Sequence, residues 1–165
     1  MNVTKHWYIF RHGLATHSKT GYGAQIRTAQ VLPEGIPPVQ RLGRFLDTCP
    51  YDWGARSEFL RCQQTAQIVT DITGRTFVAD PRLNERVDEP FNEIVDRVKA
   101  FIDDVNVTEH QHVWVCTHGI VIAALKSWLT RGEFSRQHEN DYIQPGELLK
   151  INPEGVEVVK FAVLV

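Results

Sequence analysis

The sequence predicts an α/β fold: a three-layer sandwich with a mainly parallel central sheet, helices on both faces and an antiparallel edge. Three observations lead there. Short runs rich in aromatic and β-branched residues alternate with segments whose apolar residues recur at helical spacing. Two of the runs, His6-Trp7-Tyr8-Ile9-Phe10 and Val113-Trp114-Val115-Cys116, are near-continuously apolar, as strands covered on both faces are, and each leads into a histidine followed by glycine. The tail instead carries two runs on either side of Asn152-Pro153-Glu154-Gly155, a hairpin turn. The chain shows no repeat, low-complexity tract or linker, so residues 1–165 are expected to form one domain.

The elements follow in order. Trp7 to Arg11 reads as the first strand. Leu14 to Pro33 is polar, contains glycine and has little periodicity; a loop of that length suggests a functional role. Gly35 to Asp47 reads as a helix through Val39, Leu42, Phe45 and Leu46, with Pro37 and Pro38 tolerable only in its first turn. Trp53 to Ser57 is the second strand, and Arg61 to Thr73 a helix that turns Ala66, Ile68, Val69 and Ile72 inward and stops at Gly74. Thr76 to Ala79 is a short strand ended by Asp80-Pro81. Asn92 to Val105 carries the clearest amphipathic pattern, with Ile94, Val95, Val98, Phe101, Ile102 and Val105 on one side. His112 to Cys116 is a buried-type strand, and Gly119 to Thr130 an apolar helix. Gly146 to Ile151 and Val156 to Phe161 form the closing hairpin.

Composition narrows the functional classes. With 42% hydrophobic and 23% charged residues, this is an ordinary globular chain, long enough to bury roughly two thirds of its unfolded surface. The formal net charge of −2 does not advertise nucleic-acid or membrane binding. The amino terminus, Met1-Asn2-Val3-Thr4-Lys5, lacks the apolar core of a signal peptide, and no segment approaches the ~20 apolar residues of a membrane span. Cys49, Cys62 and Cys116 are odd in number and lack CxxC spacing, so they read as reduced thiols. A cytoplasmic protein is expected.

Chemistry concentrates at strand exits. Ligands of open α/β sheets bind beyond the carboxyl ends of strands, which is where Arg11-His12-Gly13 and Thr117-His118-Gly119 fall. Between them, Ser57-Glu58-Phe59-Leu60-Arg61-Cys62-Gln63-Gln64-Thr65-Ala66 places an arginine where a helix begins. Any one of these residues taken singly reads as structural: an arginine as a surface ion-pair partner, a histidine as an ordinary packed one. Two histidines and two arginines in matching settings point jointly to phosphoryl transfer with a histidine nucleophile. Planar guanidinium groups on Arg11 and Arg61 would hold phosphoryl oxygens in bidentate forks. His12 must be neutral to attack phosphorus, and neighbouring cations favour that state. His118 would hydrogen-bond a phosphoryl oxygen from the other side. Ser57 reads equally as a pocket contact or a cap, and Cys62 and Cys116 as small buried thiols. His17 raises a metal reading, but no carboxylate follows at ligand spacing, so neither metal nor other cofactor is expected.

Four ordered blocks resemble the histidine phosphatase superfamily, the phosphoglycerate-mutase-like enzymes: Arg11-His12-Gly13; Ser57 to Ala66, similar to a serine, arginine, glutamine-threonine-alanine segment; Leu83-Asn84-Glu85, similar to leucine-x-glutamate; and Thr117-His118-Gly119. The resemblance implies a phosphohistidine intermediate on His12, later hydrolysed by water. It also implies Glu85 as the general acid for the leaving group, with Asp88 and Glu89 near enough to substitute. The family often carries glutamate or glutamine and then asparagine after its RHG, where this chain has Leu14 and Ser18. Residues 19–25 do not match the mutases' glycine-rich segment, and only residues 86–117 stand where mutases carry a long insertion. Lys19, Tyr22 and Arg27 in the following loop read as substrate contacts or as solvated residues.

The expected substrate is a small phosphorylated metabolite or a phosphoprotein. The leading expectation is a cofactor-independent phosphomonoesterase. Beside it stand a protein phosphohistidine phosphatase, which would depend less on Glu85, and a silent phosphate-binding regulatory module. The sequence leaves the oligomeric state open.

Overall fold

The computed structural model describes residues 3–16 and 21–161. Strand β1 (His6–Arg11) is followed by helix α1 (Ile36–Leu46), β2 (Trp53–Arg56), α2 (Leu60–Thr73) and the two-residue β3 (Val78–Ala79). Then come α3 (Phe91–Asn106), β4 (His112–Thr117), α4 (Gly119–Arg131) and the pair β5 (Leu148–Asn152) and β6 (Gly155–Val159). They build one six-stranded sheet in the order β3-β2-β4-β1-β5-β6. The first four strands in that order are parallel, and β5 and β6 run antiparallel at the edge. The expected mainly parallel α/β sheet with an antiparallel edge is what the chain forms.

Strand residues alternate between two apolar layers, so neither face of the central strands has a polar side. Tyr8, Phe10, Trp114 and Cys116 pack with Val39, Leu42 and Leu46 of α1 and Cys62 and Val69 of α2. Trp7, Ile9, Ala55, Val113 and Val115 point the other way, onto Ile94, Val98 and Phe101 of α3 and Val121, Ile122 and Leu125 of α4. Each such large side chain stabilises the fold by about 1.5–3 kcal/mol on burial. The two helices of the first layer touch closely at Gly43, where an added Cβ would stand 2.8 Å from Ile72 Cδ1. Helix α2 stops at Gly74, whose φ of 73° is the left-handed geometry anticipated for its cap.

The differences are at edges. The strand expected from Thr76 pairs only over Val78 and Ala79, because Phe77 packs against Phe10 and Trp114 and the Thr76 carbonyl accepts from the Tyr51 hydroxyl. Helix α1 starts at Ile36, after a 3-10 turn over Pro33–Gly35. The long segment before it is largely irregular where described, apart from a 3-10 turn at Gly23–Gln25 and a bridge between Ala15 and Val31.

For function, the decisive feature is a register. β1 and β4 pair in parallel from His6 with His112 to Arg11 with Thr117. The residues that follow, His12 and His118, therefore leave the sheet at one level on neighbouring strands.

Candidate active site

His12 and His118 meet with ring centroids 5.2 Å apart and planes inclined by 56°, both essentially removed from solvent. The His12 backbone N–H donates to the Thr117 carbonyl at 3.3 Å, extending the strand pairing into the site. On the other side of β4, the Ser57 N–H donates to the Cys116 carbonyl at 3.0 Å, so the exit of β2 lies beside them. Three parallel strand ends thus deliver the RHG block, the serine block and the second histidine to one place.

Arg61 stands in the first turn of α2 and is completely buried. Its Nε–H donates to His12 Nε2 at 3.2 Å, and Nη1 donates to the Ile26 carbonyl. Its guanidinium carbon lies 3.9 Å from the centre of the Tyr22 ring. Arg11 reaches the site from the end of β1, donating from Nη1 to the Ile143 carbonyl at 3.1 Å, with Tyr142 5.1 Å away. Each arginine is therefore oriented by a carbonyl and an aromatic face. Each also keeps a buried nitrogen without a partner, Nε of Arg11 and Nη2 of Arg61. Buried donors are rarely left unsatisfied, so both nitrogens are free to take an acceptor such as an anion's oxygen.

The rest of the serine block has a mechanical role. Thr65 Oγ1 accepts from the Gly13 N–H at 3.0 Å and donates to the Arg61 carbonyl at 2.7 Å, which locks the RHG turn onto α2. Gln64 Oε1 accepts from the Val31 N–H at 2.8 Å and ties down the returning loop. Both turns are tight. A Cβ on Gly13 would stand 2.9 Å from Val39 Cγ2, and one on Gly119 3.0 Å from the Tyr142 ring.

Protonation follows from the surroundings. A carbonyl oxygen only accepts, so the 2.8 Å contact of His12 Nδ1 with the Gly13 carbonyl puts the ring hydrogen on Nδ1 and leaves the Nε2 lone pair facing the pocket. Burial, then Arg61 and Arg11, hold His12 well below the ordinary histidine pKa. Burial likewise depresses His118, reinforced by His12, Arg61, Arg11 and Arg97. Both rings are neutral.

Glu85 is half-buried in the loop after the 3-10 turn Pro81–Leu83. Burial raises its carboxyl pKa, against the opposing pull of the Arg86 N–H at 3.0 Å and the charges of Arg61, Arg11 and Arg97. The two neighbouring carboxylates are placed differently. Asp88 is exposed, and Glu89 is engaged with Arg97 at 2.8 Å. All three line a cavity of about 340 Å³ that Phe59 and Arg27 also border. Arg27 is itself exposed, while Tyr22 caps Arg61; His17, Ser18 and Lys19 lie outside the described residues.

Ser57 and the cysteines bind the site from below. Ser57 Oγ lies 2.8 Å from His118 Nε2, so its contact within the pocket is with the histidine, and it also accepts from the Phe59 N–H at 3.1 Å as a cap would. Cys62 and Cys116 are buried, as small thiols were expected to be, and Cys62 Sγ is 3.5 Å from the same His118 nitrogen. Sequence reasoning missed Tyr22 and Tyr142 as arginine supports, Thr65 as a lock and Asn84 as a partner of Ser57. Thr65 and Asn84, each inside a recognised block, carried a signal that could have found them. Among the described residues, no group of three or more His, Cys, Asp or Glu could hold a metal ion, and no helix is long and apolar enough to cross a membrane.

A model of the histidine phosphatase superfamily, branch 1, matches residues 7–88 and 86–161, and the chain belongs to that family. No curated protein matches the sequence. Among solved structures, the α-ribazole phosphatase from Shigella flexneri is 19% identical with a TM-score of 0.76, over 94% of this chain and 95% of that one. A phosphoglycerate mutase from Bacillus anthracis is 14% identical, with a TM-score of 0.73 over 96% of this chain and 93% of that one. The protein histidine phosphatase SixA, complexed with tungstate, is 16% identical, with a TM-score of 0.68 over 93% of this chain and 94% of that one. These likenesses carry the fold alone. Because the mutase is spanned almost end to end, brevity does not set this chain apart from it.

Proposed function

We propose that the protein is a cofactor-independent phosphatase that hydrolyses a phosphomonoester through a phosphohistidine intermediate on His12. The observation that carries this reading is the His12 Nε2 lone pair, held by Arg61 and in the field of Arg11, two arginines that each retain an unpartnered buried nitrogen. The Arg11 and Arg61 nitrogens bind the phosphoryl oxygens, and His118 contacts the group from the opposite side. His12 Nε2 then forms a bond to phosphorus as the ester P–O bond breaks, and Glu85 gives its proton to the departing oxygen. In the second half, the Glu85 carboxylate takes a proton from water, whose oxygen displaces His12 and releases inorganic phosphate.

Glu85 favours an ester over a phosphoramidate. Its raised pKa suits a proton donor to an alkoxide, and the cavity beside it offers room for a small leaving group. A screen of phosphomonoesters and phosphohistidine peptides, run with and without chelator, tests the reading. Hydrolysis of alkyl monoesters untouched by EDTA supports it, whereas activity on phosphohistidine peptides alone transfers the assignment to a protein phosphohistidine phosphatase. Oxyanion binding without turnover would mean a silent regulatory module.

A further inference from the structure

Beneath His118 lies a chain of hydrogen bonds whose donors and acceptors can be assigned one by one. It starts at the Glu58 backbone N–H, which donates to Asn84 Oδ1 at 2.8 Å, while Asn84 Nδ2 donates to Glu58 Oε1 at 2.9 Å. A backbone N–H cannot accept, so these two bonds settle which end of the Asn84 amide is oxygen. That oxygen also lies 3.0 Å from Ser57 Oγ, and an amide oxygen has no hydrogen to offer. The Ser57 hydroxyl hydrogen must therefore point at Asn84, or two oxygens would face each other without a proton between them. With its hydrogen spent there, Ser57 Oγ can only accept from the Phe59 N–H at 3.1 Å and from His118 Nε2 at 2.8 Å. His118 Nε2 must then carry the hydrogen. Since the ring is neutral, Nδ1 is bare, and Nδ1 is the buried ring nitrogen that has no partner.

We infer that Asn84, acting through Ser57, is a positioning residue that fixes His118 as the Nε2–H tautomer and turns a bare Nδ1 toward the phosphoryl group. The groups facing His118 are His12, Arg61, Arg11 and Arg97, with the Cys62 thiol at 3.5 Å and the Phe59 ring edge at 5.4 Å, and none of them is an anion. In the unliganded site Nδ1 is thus an acceptor. It becomes a hydrogen-bond donor to a phosphoryl oxygen only when one proton comes in with the ligand. A phosphomonoester bound as its monoanion supplies that proton: its P–O–H hydrogen passes to Nδ1, leaving a dianionic phosphoryl group opposite an imidazolium. This kinetic consequence rests on the phosphatase reading, but the tautomer does not.

Nitrogen-15 spectra of histidine-labelled protein, with the His118 signals assigned by their loss in His118→Gln, report which ring nitrogen is protonated. The wild type is expected to show a protonated Nε2 and a bare Nδ1. Asn84→Leu frees the serine hydrogen to point at Nε2 and is expected to move the ring hydrogen to Nδ1. Ser57→Ala removes the acceptor and is expected to leave a mixture, which covers the case in which Asn84→Leu fails to fold. An Nδ1–H ring in the wild type, or an unchanged ring in a folded Asn84→Leu or in Ser57→Ala, overturns the inference. These spectra need no turnover, so an inactive protein would sink the phosphatase reading and leave this one standing. If both hold, the alkaline limb of kcat/KM for aryl phosphates follows each substrate's own second ionisation, falling tenfold per pH unit above it. A limb at one fixed pH for all substrates would show that the proton is not carried in by the ester.

Discussion

The Arg61 Nε–H points directly at His12 Nε2 across 3.2 Å. In the unliganded site the atom suited to attack phosphorus is thus held by one of the two groups suited to bind phosphate. The contact keeps His12 in one tautomer and opposes its protonation. On the proposed mechanism, a phosphoryl oxygen would draw the guanidinium away and release the lone pair where phosphorus arrives, making binding and exposure of the nucleophile one event.

Replacing His12 tests that release. His12→Ala is expected to abolish turnover with the fold intact, because the ring leaves a strand exit and the apolar layers are untouched. Rapid quench of the wild type should trap an acid-labile, base-stable phosphate that vanishes in the variant. A label trapped on His118 would reverse the two roles.

Arg61→Lys keeps a charge but loses the planar fork, the bond to His12 and the stacking on Tyr22. The efficiency kcat/KM is expected to fall by something on the order of tenfold or more. An unchanged value would mean that Arg61 does not bind the transferred group. Added EDTA should leave both proteins unaffected, and strong inhibition would bring back a metal mechanism.

Much of this arrangement was legible in the chain because it is local. Apolar runs of four or five residues announced β1 and β4, and helical spacing announced all four helices, since each buries a periodic face. The blocks around Arg11, Arg61, Glu85 and His118 stood out because each follows a strand or turn. Illegible were the relations between distant segments: the β1–β4 register, Tyr22 over Arg61, Tyr142 over Arg11, and Asn84 beneath Ser57. A tyrosine in a polar loop looks the same whether it caps a cation or faces water. The strand from Thr76 was overdrawn because Phe77, a good strand former, is used for packing at the sheet edge.

The two histidines also set a pH dependence of stability. Both are held neutral, well below the value of about 6.5 they regain on unfolding. Below that pH the unfolded chain binds more protons than the folded one, so each ring contributes stability that is lost as the solution is acidified, at up to about 1.4 kcal/mol per pH unit. Glu85 has the opposite sign. Its raised pKa means the folded chain retains a proton that the unfolded one has released, which costs stability as pH rises above about 4.3. Two rings against one carboxyl leave a net loss on going from pH 7 to pH 5. Urea titrations across that range should show it, with a shallower slope in His118→Gln; equal slopes would mean that His118 is already charged in the folded protein.

Glu85 offers the sharpest test of what departs. As general acid, it must hold a proton at the pH of turnover, and its burial beside the pocket favours that form. Glu85→Gln keeps size and some hydrogen bonding but removes the proton. Hydrolysis of an alkyl phosphate should therefore fall by ~10²–10⁴-fold, the usual worth of general acid catalysis, while p-nitrophenyl phosphate, whose leaving group needs little protonation, should lose far less. Equal losses on both substrates would place Glu85 in binding. Asp88 would then be the next acid to replace, since it borders the same cavity while Glu89 is occupied by Arg97. If none of the three carboxylates affected alkyl esters, the leaving group would not be an alkoxide, and a phosphoramidate such as phosphohistidine would be the substrate to pursue.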